Sequence, residues 1–260
     1  AFLYPDSSLS TDALHRAILT DADYGDFENA ERSYLAFLKN YPGSPLAESV
    51  RLYLAQKLME QGRHEDAIRQ LTSGLKEFPT GQFAETTFHT LGLAYLNAKQ
   101  YDQAERTLKE FAGKFAGSPL VPESYFYIAE AYGEQKLFPQ SISTFEKVAA
   151  DFPGTEVAAA AAERAQVTHI IYGDHLLQTN EIDDAVAEYR KVTATNLVEQ
   201  ARIMVCQAYM QGRRFDEARE AVDEFMKEYP TSPLIPQAKF SLAEAQMQSE
   251  EYKAAEETLR

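Results

Sequence analysis

Apolar side chains recur along this chain at spacings of three and four, and the groups they form repeat on a longer period. Small residues stand at Ala30, Ala67, Ala104, Ser141, Ala185, Ala218 and Ala255. Three positions before each come Phe27, His64, Tyr101, Phe138, Ile182, Phe215 and Tyr252, and four positions after each come Tyr34, Leu71, Leu108, Phe145, Tyr189, Val222 and Leu259. Those spacings put the columns on one helical face, so each unit is predicted to contain a helix with an apolar stripe, the first column supplying mostly apolar plugs for the turn between paired helices. Aromatic–proline pairs mark the same rhythm: Tyr4–Pro5, Tyr41–Pro42, Phe78–Pro79 and Phe152–Pro153 are spaced 37, 37 and 74, with Phe115–Ala116 at the missing step and Tyr229–Pro230 further on. Periodicity in this range is the mark of stacked repeats that each bury an apolar face against a neighbour.

The third copy, with Leu91–Gly92, Tyr95, Tyr101, Ala104 and Leu108, resembles the tetratricopeptide consensus, which has a glycine where the two helices of a pair cross. That resemblance implies the crossing slot at Ala55, Gly92, Ala129, Gly173, Cys206 and Ala243, with the larger Ile18 in the first copy. Ser44–Pro45, Ser118–Pro119 and Ser232–Pro233 read as an N-cap followed by proline at the first helical position, which predicts that these first helices start about one turn early. Leu9, Leu46, Phe83, Leu120, Val157 and Leu234 anchor that turn. The fifth copy is longer by seven residues, close to two helical turns. It should extend the first helix through Val157–Ala162 by roughly 10 Å while keeping its buried face in register.

The likeness to the tetratricopeptide consensus extends over the whole chain, although the consensus tryptophan never appears. It implies an all-α fold, a right-handed superhelical solenoid of antiparallel helix pairs with about seven repeats. The repeats are expected at 8–43, 44–80, 81–117, 118–154, 155–195, 196–231 and 232–260, after a remnant at 1–7, as one solenoid. The first and last segments each match part of a repeat, so the parent chain is expected to continue in both directions.

Composition narrows the functional classes. The 25 basic and 40 acidic residues give a net charge of −15, which repels phosphate backbones, so nucleic acid is set aside as a partner. No run of apolar residues is long enough to span a membrane. One cysteine, Cys206, can form no internal disulfide, and its place in the crossing slot predicts a buried thiol packing as a small hydrophobe. Nucleotide-binding and hydrolase motifs are absent, so no catalytic residue, cofactor site or metal site is predicted and the chain is read as a non-enzyme. His169 and His175 flank Asp174, but a spacing of six turns the two rings to nearly opposite helical faces, and His169 is expected to be structural. Asp21–Asp26 lacks the glycine and glutamate register of a calcium loop and is expected to be a polar turn.

In the tetratricopeptide family the first helix of each pair lines the concave surface, and that resemblance implies where a ligand would lie. Carried over by position, the groove comprises Tyr53, Gln56 and Met59; His89, Leu93, Leu96 and Asn97; Phe126, Tyr127 and Glu130; Ile170, Asp174 and Leu177; Ile203, Gln207 and Met210; and Phe240, Glu244 and Met247. Apolar and aromatic anchors beside acids and amides fit protein or peptide segments that carry apolar anchors and some basic residues. The family's carboxylate-gripping lysines and arginines are not at these positions. The phrase Tyr41–Glu48, echoed at 115–120 and 229–234, is similar to repeats in bacterial cell-envelope proteins, among them outer-membrane-assembly lipoproteins and periplasmic Tol-Pal partners, and implies a periplasmic or cell-envelope address. Three readings follow: an interaction scaffold, the recruiting arm of an enzyme encoded beyond this segment, and an array that associates end to end.

Overall fold

A computed structural model describes residues 8–41, 44 and 46–259, so Tyr4–Pro5, Pro42, Pro45 and the side chain of Leu9 lie outside the described residues. Among the described residues there are fourteen α-helices and no strand. The chain divides into two compact units between Gln135 and Lys136. The first holds α1 (Ser8–Asp23), α2 (Phe27–Asn40), α3 (Leu46–Glu60), α4 (His64–Glu77), α5 (Ala84–Asn97), α6 (Tyr101–Lys114) and α7 (Val121–Glu134). The second holds α8 (Phe138–Asp151), α9 (Glu156–Gln178), α10 (Ile182–Arg190), α11 (Val198–Gln211), α12 (Phe215–Glu228), α13 (Ile235–Gln248) and α14 (Tyr252–Leu259).

The predicted plug column supplies the first residue of every even-numbered helix, from Phe27 of α2 to Tyr252 of α14. Just before it the chain turns through a left-handed residue: Gly25 and Gly62 in two turns, but Lys99, Lys136, Asn180, Arg213 and Glu250 in the others, at φ between 58° and 65°. Such a conformation is normally left to glycine or asparagine, which is why the hydrophobic pattern does not announce it. At Asp26 the turn is also capped, the carboxylate accepting from the backbone N–H of Asn29 at 3.2 Å, so the acidic run at 21–26 is a helix–helix turn.

Burial follows the two small-residue columns. Every residue from Ala30 to Ala255 in the first column is buried, and Tyr34, Leu71, Leu108, Phe145, Tyr189 and Val222 are buried one turn on. The crossing slot is equally closed. A Cβ on Gly92 would come within 2.4 Å of Leu108 Cδ2, and one on Gly173 within 2.4 Å of the Tyr189 ring, so these glycines set the approach of α5 to α6 and of α9 to α10. Ile18 is accommodated in full burial. In the first unit α1, α3, α5 and α7 touch in series, while α2, α4 and α6 pack on them and not extensively on one another. The first helices therefore form a continuous layer, with one face turned away from the second helices.

The serine–proline signals require a correction. Helix α7 begins at Val121, in the same register as α5, which has no such signal, so no extra α-helical turn is added. Instead Ser44, Ser118 and Ser232 accept through Oγ from the backbone N–H of Leu46, Leu120 and Leu234 at 3.1–3.3 Å, and their carbonyls accept from the residue three on, which makes a single tight turn ahead of the helix. The fifth copy does lengthen: α9 has 23 residues against 14 in α7, and Thr155 caps it, Oγ1 accepting from Ala158 N at 3.1 Å. Its partner α10 is only 9 residues long, and buried Val192 follows its end.

The glycine contacts generate a paired expectation. Gly173→Ala forces the buried Tyr189 ring, whose hydroxyl donates to Asp174 at 2.6 Å, out of place and should destabilise by about 1–3 kcal/mol. Gly113→Ala, exposed near the end of α6 with open space at its Cβ, should stabilise by about 0.5–1 kcal/mol. Urea denaturation of the two variants checks both signs.

Candidate functional site

The face of the first helices that the second helices leave free is the surface open to a partner. On α3, Tyr53 and Met59 are half-buried and Gln56 is exposed. Tyr53 donates its hydroxyl to Asp23 at the end of α1, and Lys57 lies between Asp23 (3.5 Å) and Glu60 (2.9 Å) with its ammonium 5.5 Å from the Tyr53 ring centre. This part of the face carries its own cation. On α5, Leu93 and Leu96 are half-buried and Asn97 is exposed; on α7, Phe126, Tyr127 and Glu130 are all half-buried, the two rings meeting edge to face at 5.8 Å. Burial and the charge of Glu123 raise the Tyr127 hydroxyl pKa, which keeps it a neutral donor.

In the second unit, Ile170, Asp174 and Leu177 of α9 are half-buried, as is Met210 of α11, and Gln207 is exposed. Asp174 accepts from Tyr189 of α10 and so serves the hairpin interior. On α13, Glu244 is exposed, Phe240 is 56% exposed and Met247 53%.

Two residues expected on the face are core and must be removed from it. His89 is only 4% exposed, its ring packed 5.3 Å from Phe111 and 6.3 Å from Tyr127, and Ile203 is buried in the cluster with Val205, Ala218 and Leu242. Both share a register with Leu52, also buried, and with exposed Phe240. Side-chain type does not separate the buried members of that column from the exposed one.

The remaining polar features are structural. His169 Nδ1 lies 2.7 Å from Glu188 Oε2, Glu188 Oε1 accepts from Lys191 at 2.6 Å, and the buried pair ties α9 to α10. His175 packs 5.5 Å from Phe138, so His169, Asp174 and His175 serve three different partners. Among the described residues no group of three or more His, Cys, Asp or Glu is placed to hold a metal ion, and no helix is long and apolar enough to cross a membrane. Burial pushes the Cys206 thiol up to about 12, and it donates to Arg202 O at 3.4 Å, a packed and protonated group.

One set of polar residues is not apparent from sequence spacing alone. Seven positions before the crossing slot, Glu48 accepts from Phe83 N at 2.8 Å, Glu85 from Ser118 Oγ, Gln166 from Thr193 N at 2.7 Å and Ala194 N at 3.2 Å, and Glu199 from Ser232 Oγ at 2.7 Å. Each bond joins a first helix to the turn that opens the next repeat. The Glu48 carboxylate leaves no room for a Cβ at Gly81. The signal was present, since the recurring phrase at 41–48 ends on Glu48, but its partner lies 35 residues on.

Comparison with known proteins places this architecture. Residues 7–171 match the YfiO family model, described as an outer membrane lipoprotein, and residues 207–260 match a tetratricopeptide-repeat model. A tetratricopeptide repeat protein from Parabacteroides merdae ATCC 43184 aligns with a TM-score of 0.51 at 15% identity, over 97% of this chain and 98% of that one. The apo form of RapI aligns with a TM-score of 0.50 at 13% identity, over 95% and 74%. At these identities the likeness shows the fold. No curated protein matches the sequence.

The placement of His89 has a measurable consequence. Burial holds its pKa below the usual histidine value, so the unfolded chain takes up the proton first as pH falls. Stability tied to His89 is present above the ordinary histidine value of about 6.5 and is lost as the pH falls below it toward the lower folded value. His89→Phe should reduce the slope of unfolding free energy over that window, as read from urea melts at stepped pH.

Proposed function

The chain belongs to the YfiO family of outer membrane lipoproteins, and from that premise we propose that it is a non-catalytic scaffold in the bacterial cell envelope that holds segments of partner proteins against the free face of its first helices. The observation that carries this reading is the composition of that face. Half-buried Leu93, Leu96, Phe126 and Tyr127 in the first unit, and half-buried Met210 in the second, each offer apolar or aromatic surface beside exposed amides and acids of their own unit. Anchors of that kind supply binding energy, and the polar rim selects register.

The partner chemistry that fits is an extended or helical segment with apolar side chains and some basic residues, because the chain carries 40 acidic against 25 basic residues. Nothing in this reading asks the protein to move protons or electrons: buried Glu48, Arg51 and the His169–Glu188 pair are each engaged in hydrogen bonds that join one helix or turn to another. The envelope setting is drawn from the family and fits the repeat phrase that ends at Glu48.

A pull-down from a membrane-containing lysate of the source cell tests it, using the full-length protein with and without Tyr53→Lys, Phe126→Lys and Met210→Lys. Partner recovery should fall at least about tenfold in the triple variant while its circular dichroism is retained. Full recovery of every partner by a folded triple variant would contradict the face assignment.

A further inference from the structure

Helices α8, α9 and α10 enclose a cleft on the second-helix side of the second unit, floored by the His169–Glu188 pair that ties α9 to α10. Its volume is about 470 Å³, against about 340 Å³ for the cleft between α10 and α12 and about 260 Å³ for that between α12 and α14. The extra room comes from the mismatch in the fifth copy. Helix α10 stops after 9 residues while α9 runs for 23, so the flank of α9 at Ala162–Gln166 faces the loop at 193–196 instead of a helix. A second cleft of about 480 Å³ opens there and shares Gln166 with the first. Between Ala162 and Tyr172 the two follow α9 for about 15 Å, the reach of about four or five extended residues.

Two polar side chains one turn apart on α9 line this space with groups left over. Glu188, a carboxylate that accepts from Lys191 through Oε1 at 2.6 Å, lies 2.7 Å from His169 Nδ1 through Oε2, so Nδ1 carries the ring proton. Nε2 of the neutral ring is then a lone-pair acceptor. It has no hydrogen-bond partner among the described residues, and His169, which lines the cleft, is only 5% exposed. Gln166 is fixed in the opposite sense: its Oε1 accepts from Thr193 N at 2.7 Å and Ala194 N at 3.2 Å, which leaves its amide N–H groups as donors. One wall is apolar, from Pro139 and Ile142 of α8. The rim is acidic, because exposed Glu146 and Glu163 make no ion pair among the described residues, whereas Lys191 is held by Glu188.

We propose that these joined clefts are a second docking surface, separate from the first-helix face, and that they take an extended, basic peptide segment of a partner protein. A peptide group offers what the floor lacks, an N–H for His169 Nε2 and a C=O for the Gln166 amide. A buried acceptor without a partner is costly, and a bound N–H removes that cost. A helical segment brings no such groups, since its own backbone bonds consume them. In an extended chain alternate side chains point to opposite sides, so one set meets Pro139 and Ile142 while the other meets the acidic rim. Three carboxylates, Glu146, Glu163 and Glu188, and one ammonium, Lys191, line the two clefts, so basic side chains are attracted and acidic ones repelled.

Fluorescence anisotropy on the whole chain tests this with a labelled eight-residue peptide of alternating arginine and valine, and a twin with glutamine at each arginine position. The arginine peptide should bind about three- to tenfold more tightly than the twin at low salt, with the gap closing as salt rises. Ser143→Trp, at an exposed position lining the cleft, should weaken the arginine peptide at least about tenfold while circular dichroism is retained. Phe126→Lys, on the first-helix face, should leave its affinity unchanged. In Glu146→Gln/Glu163→Gln the two peptides should bind alike. With ¹⁵N-labelled histidine, the bound peptide should shift the His169 Nε2 resonance. No binding by the arginine peptide, or full affinity in a folded Ser143→Trp variant, overturns the proposal. Loss of binding in Phe126→Lys but not in Ser143→Trp would put the peptide on the first-helix face, which removes this docking surface and leaves the scaffold reading standing.

Discussion

The closeness with which paired helices approach at a few small residues is the constraint on which the rest depends. Gly92 and Gly173 admit no Cβ because Leu108 and the Tyr189 ring occupy the space, and Ala55, Ala129 and Cys206 are fully buried at equivalent crossings. With the backbones that near, the bulky residue one turn along each second helix is driven into full burial, worth about 1.5–3 kcal/mol for each large apolar side chain. The face proposed to hold a partner is what remains once those contacts have fixed the orientation of the first helices.

Hydrophobic packing alone leaves successive repeats free to slide. The bonds from Glu48, Glu85, Gln166 and Glu199 to the opening turn of the next repeat oppose this, since each is directional and spans the boundary. The fourth and seventh copies carry Pro122 and Pro236 at that register, early in α7 and α13, where proline suits the first turn of a helix. Buried Arg51 plays a similar part in the second copy, donating to Tyr34 at 3.2 Å, Gln70 at 2.9 Å and Glu77 at 2.9 Å, so that α2, α3 and α4 share one polar centre. These bonds give the stack a register that burial by itself does not specify.

Much of the fold was legible because it depends on local repetition. The plug column, read as marking the turn between paired helices, coincides with the first residue of every second helix, and the seven-residue insertion appears as the 23-residue α9. What could not be read depends on tertiary context. Lys99, Lys136 and Arg213 hold left-handed turns with no compositional sign, and the Ser118–Pro119 signal caps a tight turn rather than a helix. The face was harder still: His89, Ile203 and Phe240 share one register, yet the first two are covered and the third is open, because exposure there depends on what packs against the column.

The most direct test of the central claim is site-specific photo-crosslinking of the full-length protein in cells. One photoreactive residue would replace Leu93 on the free face of α5, and another would replace Leu35, an exposed residue on α2. Binding on the first-helix face predicts partner adducts from position 93 and none from position 35. Adducts from position 35 alone would contradict the account.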